Sequence, residues 1–218
     1  QEGLLYSVMQ NSKTMDFDEL LFALEQEESP AKWNLMKVIR SLKDQDIFGK
    51  HSIAFNELLQ SGKCSVLNLK GIVPQVQEIF TYKLLKDLFE LRKLEKIPPF
   101  FCVIEEAHNF CPERSFGQAA SSGILRTIAS EGRKFGMGLA IISQRPARVD
   151  KSVLSQVSTQ IILKVTNPND LKAISNSVEG LTSESEDEIQ NLSIGHGLIT
   201  GVVDVPLFVQ IRPRFTKH

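Results

Sequence analysis

The stretch Phe100-Phe101-Cys102-Val103-Ile104-Glu105-Glu106-Ala107-His108 decides the fold. Five large apolar residues follow the helix-stopping pair Pro98-Pro99 without polar alternation, the pattern of a strand buried on both faces of a parallel sheet. Two carboxylates close the run. In open α/β sheets ligands sit outside the carboxyl ends of the strands, so Glu105 and Glu106 are placed at that crevice. Paired acids can also mark a solvated turn, but a stiff apolar strand fixes them in the way that catalysis requires. So placed, the first acid suits Mg²⁺ held through water, and the second suits polarising a water that attacks a phosphoryl group.

Outward from this strand, helical and strand patterns alternate. Ser65 to Leu69 reads as a strand and Pro74 to Leu94 as one long amphipathic helix. Beyond the acids come a glycine- and serine-bearing loop from Cys111 to Gly123, a helix from Ile124 to Phe135, a second buried strand from Gly138 to Ser143, a short helix around Lys151 to Val157 and a strand from Thr159 to Val165. This order predicts a parallel sheet covered on both sides. Gly195 to Val203 followed by Pro206 to Ile211 reads as a hairpin that extends the sheet antiparallel. From Leu4 to Phe48 apolar residues recur at helical spacing and predict three short helices. Asp16 caps the second, Ser29-Pro30 opens the third and Gly49 closes the block. The expected fold class is α/β, a largely parallel sheet flanked by helices with an antiparallel C-terminal hairpin. Residues 1–50 form a helical subregion and 51–218 the core.

Two further constellations carry chemistry. Glu131-Gly132-Arg133-Lys134-Phe135-Gly136-Met137-Gly138 sits at a helix end, where Arg133 offers forked donors to the charge that spreads over a transferring phosphoryl group. The same text also suits a helix C-terminus capped by basic residues and glycine. Ile141-Ile142-Ser143-Gln144-Arg145-Pro146 puts the Gln144 amide at the end of the adjacent strand, where it can orient water or sense a γ-phosphate. A routine strand-to-loop transition is the alternative. All three constellations are expected to converge on one edge of one sheet.

Charge is nearly balanced, 25 basic against 26 acidic residues, so a polyanion contact has to be local. Between Arg126 and Lys151 six basic residues, Arg126, Arg133, Lys134, Arg145, Arg148 and Lys151, stand against Glu131 and Asp150. Hydrophobic residues make up 42% of the chain, enough for a substantial core. Cys64, Cys102 and Cys111 show no metal-binding spacing and, being odd in number, no disulfide framework, which points to a reducing cytoplasm. No apolar run reaches membrane-spanning length and no signal-peptide pattern opens the chain, so no membrane association is expected. A phosphate-binding Gly-x-x-x-x-Gly-Lys-Ser/Thr loop is missing: Gly62-Lys63 precedes Cys64 and has Glu57 at the first glycine position, while Gly49-Lys50 precedes His51 and has Asp44 there. Because helical text begins almost at Gln1, with no introductory strand, the chain is expected to be a piece of a longer protein.

Glu105-Glu106-Ala107-His108-Asn109-Phe110, Glu131-Gly132-Arg133-Lys134-Phe135-Gly136 and Ser143-Gln144-Arg145-Pro146-Ala147-Arg148-Val149-Asp150 together resemble the HerA-type DNA translocases of archaea, relatives of the FtsK-type pumps. The resemblance runs in order from about Ser65 to the C-terminus. It implies part of a RecA-like P-loop NTPase core, using ATP and Mg²⁺ and assembled as a hexameric ring on duplex DNA. It also implies work with a NurA-type nuclease beside Mre11 and Rad50 in double-strand break end resection. Carried over by position, Glu105 becomes the magnesium-side acid, Glu106 the general base, Gln144 the sensor of the terminal phosphate and Arg133 a finger presented to a neighbouring subunit. Arg145 becomes a second-ranked candidate for contact with nucleotide or for the subunit boundary. Apart from the resemblance, the Cys111 to Gly123 loop is a candidate DNA contact, with a flexible surface loop as the alternative, and His108 is read as helping to position the acid loop rather than binding metal.

The pattern departs from the family in two respects. Many motor ATPases place aspartate where Glu105 stands, and both the phosphate loop and an N-terminal barrel domain are absent. Residues 1–50 are then the helical insertion between phosphate loop and acidic strand, and the chain alone is expected to be inactive. Two alternatives stand beside this reading. A VirB4-like secretion or conjugation ATPase shares the acidic strand and the Arg-Lys-x-Gly helix end, and a module that binds nucleic acid or a partner without hydrolysis needs neither acid.

Overall fold

The computed structural model describes residues 4, 7–9, 16–44, 53–178, 181, 183–202 and 205–216. Leu5, Phe48, Gly49, Lys50, His51 and Val203 lie outside the described residues. The chain divides into two compact units, Gln1–Ala54 with Leu67–Val76, and Phe55–Val66 with Gln77–His218.

In the first unit, helix α1 (Phe17–Glu25) and helix α2 (Lys32–Asp44) pack as a pair. Asp16 caps α1 as expected, its side chain accepting from the Asp18 N–H. The apolar spacing puts Leu20, Leu24, Leu35, Met36 and Ile39 on facing sides, where they form one buried cluster with Val8.

The second unit begins with a one-turn helix α3 (Phe55–Leu58); residues 63–69 after it, of which 67–69 belong to the first unit, make no ladder, so the expected strand from Ser65 to Leu69 is not formed. A strand exists only against a partner edge, and no described strand offers one here; Val66 is left 83% exposed. Helix α4 (Pro74–Lys93) follows and stops before Pro98-Pro99. Its Arg92 ties the end of the helix to two carbonyls, those of Ile97 and Phe135, while Phe89 meets the Phe135 ring edge-on at 5.5 Å.

Strand β1 (Phe100–Ile104) pairs in parallel with strand β2 (Met137–Ile141), from Phe100 opposite Met137 to Ile104 opposite Ile141. The crossover between them contains helix α5 (Ser122–Glu131) and a 3₁₀ turn, Gly132–Phe135, that continues it. Leu125, Ile128 and Met137 are buried along this unit. Contrary to the expectation for β1, its burial alternates: Phe101 is 67% and Val103 53% exposed. The continuous apolar run is therefore covered on one face only among the described residues. The Phe101 ring lies over Gly138 on that open face, in space that a Cβ would occupy.

After β2, helix α6 (Lys151–Leu154) leads to strand β3 (Gln160–Ile162), helix α7 (Pro168–Ser177), helix α8 (Ser183–Asn191) and the hairpin of β4 (His196–Thr200) and β5 (Leu207–Gln210). Asn167 caps α7 through two backbone N–H groups, with Pro168 in the first turn. The hairpin is antiparallel as expected, but it extends β3 rather than the parallel pair, giving separate sheets β1-β2 and β3-β4-β5. Ile162, Leu171, Ile174, Ile189 and Leu198 form the core between the second sheet and its helices.

The return from β4 depends on Gly201, at φ +77, where an added Cβ would collide with the Ser158 carbonyl oxygen. Gly62 has nearly the same φ, +73, with nothing within 4 Å. In urea unfolding, Gly62→Ala should cost about 1 kcal/mol for the left-handed backbone alone, and Gly201→Ala roughly 3 kcal/mol because backbone must also move. Equal costs would contradict this placement of the β3–β4 crossing.

Candidate functional site

Parallel pairing in register sets the carboxyl ends of β1 and β2 side by side. Ile142 continues the ladder by donating its N–H to the Ile104 carbonyl at 2.9 Å, and its own carbonyl accepts from Ala107 N–H at 2.9 Å. The chain leaving β1 is thereby folded across the end of β2. The fold-over is achieved at Glu106, whose φ of 49° and ψ of 44° are left-handed, unusual for a residue with a Cβ. A 3₁₀ turn, Ala107–Asn109, follows at once.

This backbone path brings four side chains together. Gln144 Nε2 donates to Glu106 Oε1 at 2.9 Å. Glu106 Oε2 lies 3.4 Å from His108 Nδ1, and that nitrogen is 3.0 Å from Ser143 Oγ. The Ser143 hydroxyl also accepts from the Arg145 N–H at 3.0 Å. Glu105 is exposed beside them and has no hydrogen bond or ion pair among the described residues. Of the expected site residues, Glu105, Glu106, Gln144 and Arg145 thus share one end of the parallel pair. Arg145 is exposed, held there by its own backbone.

Arg133 is elsewhere, and the expected convergence of all three constellations on one edge is corrected. It lies in the turn that enters β2, beside Gly136, whose N–H closes on the Arg133 carbonyl, and Phe100 N–H donates to the Gly136 carbonyl. That is the amino end of both strands. Five residues of strand separate the two ends by roughly 16 Å. The reason is directional: in a parallel crossover the helix that follows one strand must deliver the chain to the start of the next.

The expected positive patch is also reduced. Arg126 grips Asp150 Oδ2 through Nε at 2.9 Å and Nη2 at 2.6 Å, and Asp150, 2% exposed, accepts the Ser152 N–H on its other oxygen at 2.9 Å. Burial works to raise the Asp150 carboxyl, but the bonds from Arg126 and Ser152 and the Arg126 charge outweigh it and hold the group below the usual carboxylate range. Asp150 N–H donates to the Cys111 carbonyl, and Pro112 bridges Val149, so the loops after β1 and β2 are stitched together. Arg114, Arg145, Arg148 and Lys151 remain exposed there, with the Arg148 guanidinium 5.2 Å from the centre of the exposed Phe116 ring. Burial pushes the Cys102 thiol up to about 11 and Cys111 to about 12, so neither is a thiolate nucleophile at neutral pH.

Among the described residues no group of three or more His, Cys, Asp or Glu is placed to hold a metal ion, and no helix is long and apolar enough to cross a membrane. The roles of Ser143 and Asp150 were not assigned from sequence. Ser143 lay inside the Ser-Gln-Arg-Pro text, and an aspartate ahead of Lys151-Ser152 has the pattern of a helix cap.

No protein-family model matches the chain. It is 30% identical over 210 residues to the DNA double-strand break repair helicase HerA of Sulfolobus acidocaldarius, covering 89% of this chain and 42% of the relative. With HerA of Pyrococcus furiosus the identity is 39% over 114 residues, 52% of this chain and 20% of the relative. The chain is a homologue of the HerA-type helicases. It spans about two fifths or less of these HerA relatives. The solved structure of VirB4 of Thermoanaerobacter pseudethanolicus superimposes with a TM-score of 0.61 at 18% identity, covering 94% of this chain and 57% of that one, so the two share an α/β fold. At 18% identity, against 30% and 39% with the HerA relatives, VirB4 is a likeness of fold alone.

Asp150→Asn should destabilise the chain by about 2–3 kcal/mol at neutral pH, because Arg126 loses a buried charged partner. Since the folded carboxyl is held below its ordinary value of about 3.9, its contribution is full above about pH 4 and disappears as pH falls through the lower folded value. Urea unfolding at pH 7 and pH 3 should show the gap between wild type and Asp150→Asn narrowing on acidification.

Proposed function

We propose that this chain is the hydrolytic portion of an ATP-driven, DNA-translocating helicase that acts in double-strand break repair. The observation that carries the reading is the Glu106–Gln144 hydrogen bond across the carboxyl ends of two parallel strands, an acid and an amide meeting where α/β sheets take their ligands. Glu106 Oε1 or Oε2 would accept the proton of the attacking water, and the Gln144 Nε2–H would orient that water or meet the terminal phosphate. Glu105 fits magnesium as a single carboxylate donor, exposed and unpartnered among the described residues, the remaining ligands being phosphate oxygens and water. Bound there, the ion would neutralise charge on the phosphates. Arg145 would contact nucleotide or the subunit boundary.

The position of Arg133 supports a role in trans. It lies at the amino end of the strands, at the opposite end from the acids of its own chain, where a finger for a neighbour's ATP belongs. A closed ring, hexameric by the family resemblance, is the assembly in which every such finger finds a site. Duplex DNA would be gripped through phosphates by Arg114, Arg148 and Lys151 near Phe116. A NurA-type nuclease, with Mre11 and Rad50, is the proposed partner set.

We place the phosphate-binding loop on chain that precedes these residues in a longer protein, with residues 1–50 as the intervening helical insertion and 51–218 as the later part of the core. The exposed Phe101 and Val103 face supports this, being apolar surface of the sort that a further layer of the sandwich covers. In isolation the 218-residue chain is then inactive: titration calorimetry with ATP and Mg²⁺ should give no micromolar binding. In the full-length protein, ATP hydrolysis should rise with duplex DNA and be lost in Glu106→Gln, by roughly a hundredfold or more. Equal rates with and without duplex, or an active Glu106→Gln variant, would contradict the reading.

A further inference from the structure

We propose that His108 is the positioning residue for Glu106, and that Ser143 is the joint tying His108 to the loop that carries Gln144. This rests on the ATPase reading above, in which Glu106 is the base.

Each oxygen of the Glu106 carboxylate faces a different element. Oε1 takes the Gln144 amide from the loop beyond β2, and Oε2 faces His108 Nδ1 from the turn beyond β1. The two supports differ in permanence. Gln144 is exposed on a loop, and an amide that meets a phosphate or a water must turn from Glu106 to do so. The His108 side chain is only 15% exposed, in a turn held at both ends: Ala107 N–H donates to the Ile142 carbonyl at 2.9 Å and Asn109 N–H to the Glu106 carbonyl at 2.8 Å. When Gln144 leaves, His108 is what keeps the carboxylate aimed.

The hydrogen placement follows from the partners. Ser143 Oγ already accepts from Arg145 N–H, and it lies 3.0 Å from the same Nδ1 that is 3.4 Å from Glu106 Oε2. A carboxylate oxygen only accepts, so a bare Nδ1 lone pair facing it would be repelled. In the neutral ring the proton therefore sits on Nδ1, donated to Ser143 Oγ, with the Glu106 carboxylate 3.4 Å from the same nitrogen. One hydroxyl thus fixes both the Arg145 backbone and the imidazole, so that the acid loop and the amide loop move as a unit.

Two measurements test this. In the full-length protein, His108→Ala should lower kcat for ATP hydrolysis roughly ten- to hundredfold, as misaimed catalytic groups do. KM for ATP should stay within about twofold, since no ground-state contact is lost. His108→Asn, whose amide N–H can stand where Nδ1–H stood, should recover part of the rate, and Ser143→Ala should fall between. Independently of turnover, ¹⁵N NMR of the 218-residue chain, at a pH where the His108 ring is neutral, should show the proton on Nδ1, and His108→Ala should shift the Gln144 side-chain amide signals. An active wild type with unchanged kcat in His108→Ala overturns the proposal, as does an Nε2–H ring. Should the wild type itself hydrolyse no ATP, the ATPase reading fails by itself, and the ring proton and amide shifts still decide whether His108 holds Glu106.

Discussion

The parallel pairing of Phe100–Ile104 with Met137–Ile141 is the constraint on which the rest of the site depends. Five paired residues fix where each strand ends, and the Ile142–Ile104 and Ala107–Ile142 bonds carry the pairing one step past the strands. Glu106 and Gln144 meet because of that step. The same geometry sends Arg133 to the other end, so a single register both assembles the acid–amide pair and separates the cation from it. A shift by one residue would turn every side chain of a strand to the opposite face and dissolve the arrangement.

The left-handed backbone at Glu106 is the local cost of the fold-over, of the order of 1–2 kcal/mol for a residue with a Cβ. It is held in place by neighbours on every side: the Ala107 N–H, the Gln144 amide, and His108 with Ser143 behind it. Strain held by surrounding bonds keeps a carboxylate in one orientation instead of several, which suits a base that must meet a water in a defined direction.

Much of this was legible in the sequence because it rests on local rules. Pro98-Pro99 and the apolar run fixed β1 to the residue, Asp16 marked a helix start, and the acids and Gln144 were placed at strand ends by pattern alone. What failed depended on partners. Ser65 to Leu69 has a strand composition and no ladder, and the Thr159 to Val165 run joined the hairpin instead of the parallel pair. The convergence of Arg133 with the acids failed because a helix end in sequence gives no sign of which end of the sheet it reaches. Arg126 contributes to a local positive balance in the sequence, but only the fold pairs it with Asp150, 24 residues on. The His108–Ser143 contact spans 35 residues and follows only from the register.

In the proposed nucleotide site Glu105, Glu106 and Gln144 form the metal end, and Arg133 of the same chain lies at the other end of the strands. Iron-mediated backbone cleavage tests it most directly, with Fe²⁺ in place of Mg²⁺ in the full-length protein bound to a non-hydrolysable ATP analogue. Cuts are expected near Glu105-Glu106 and near Ser143-Gln144. Bound nucleotide with no cleavage at either position would contradict it.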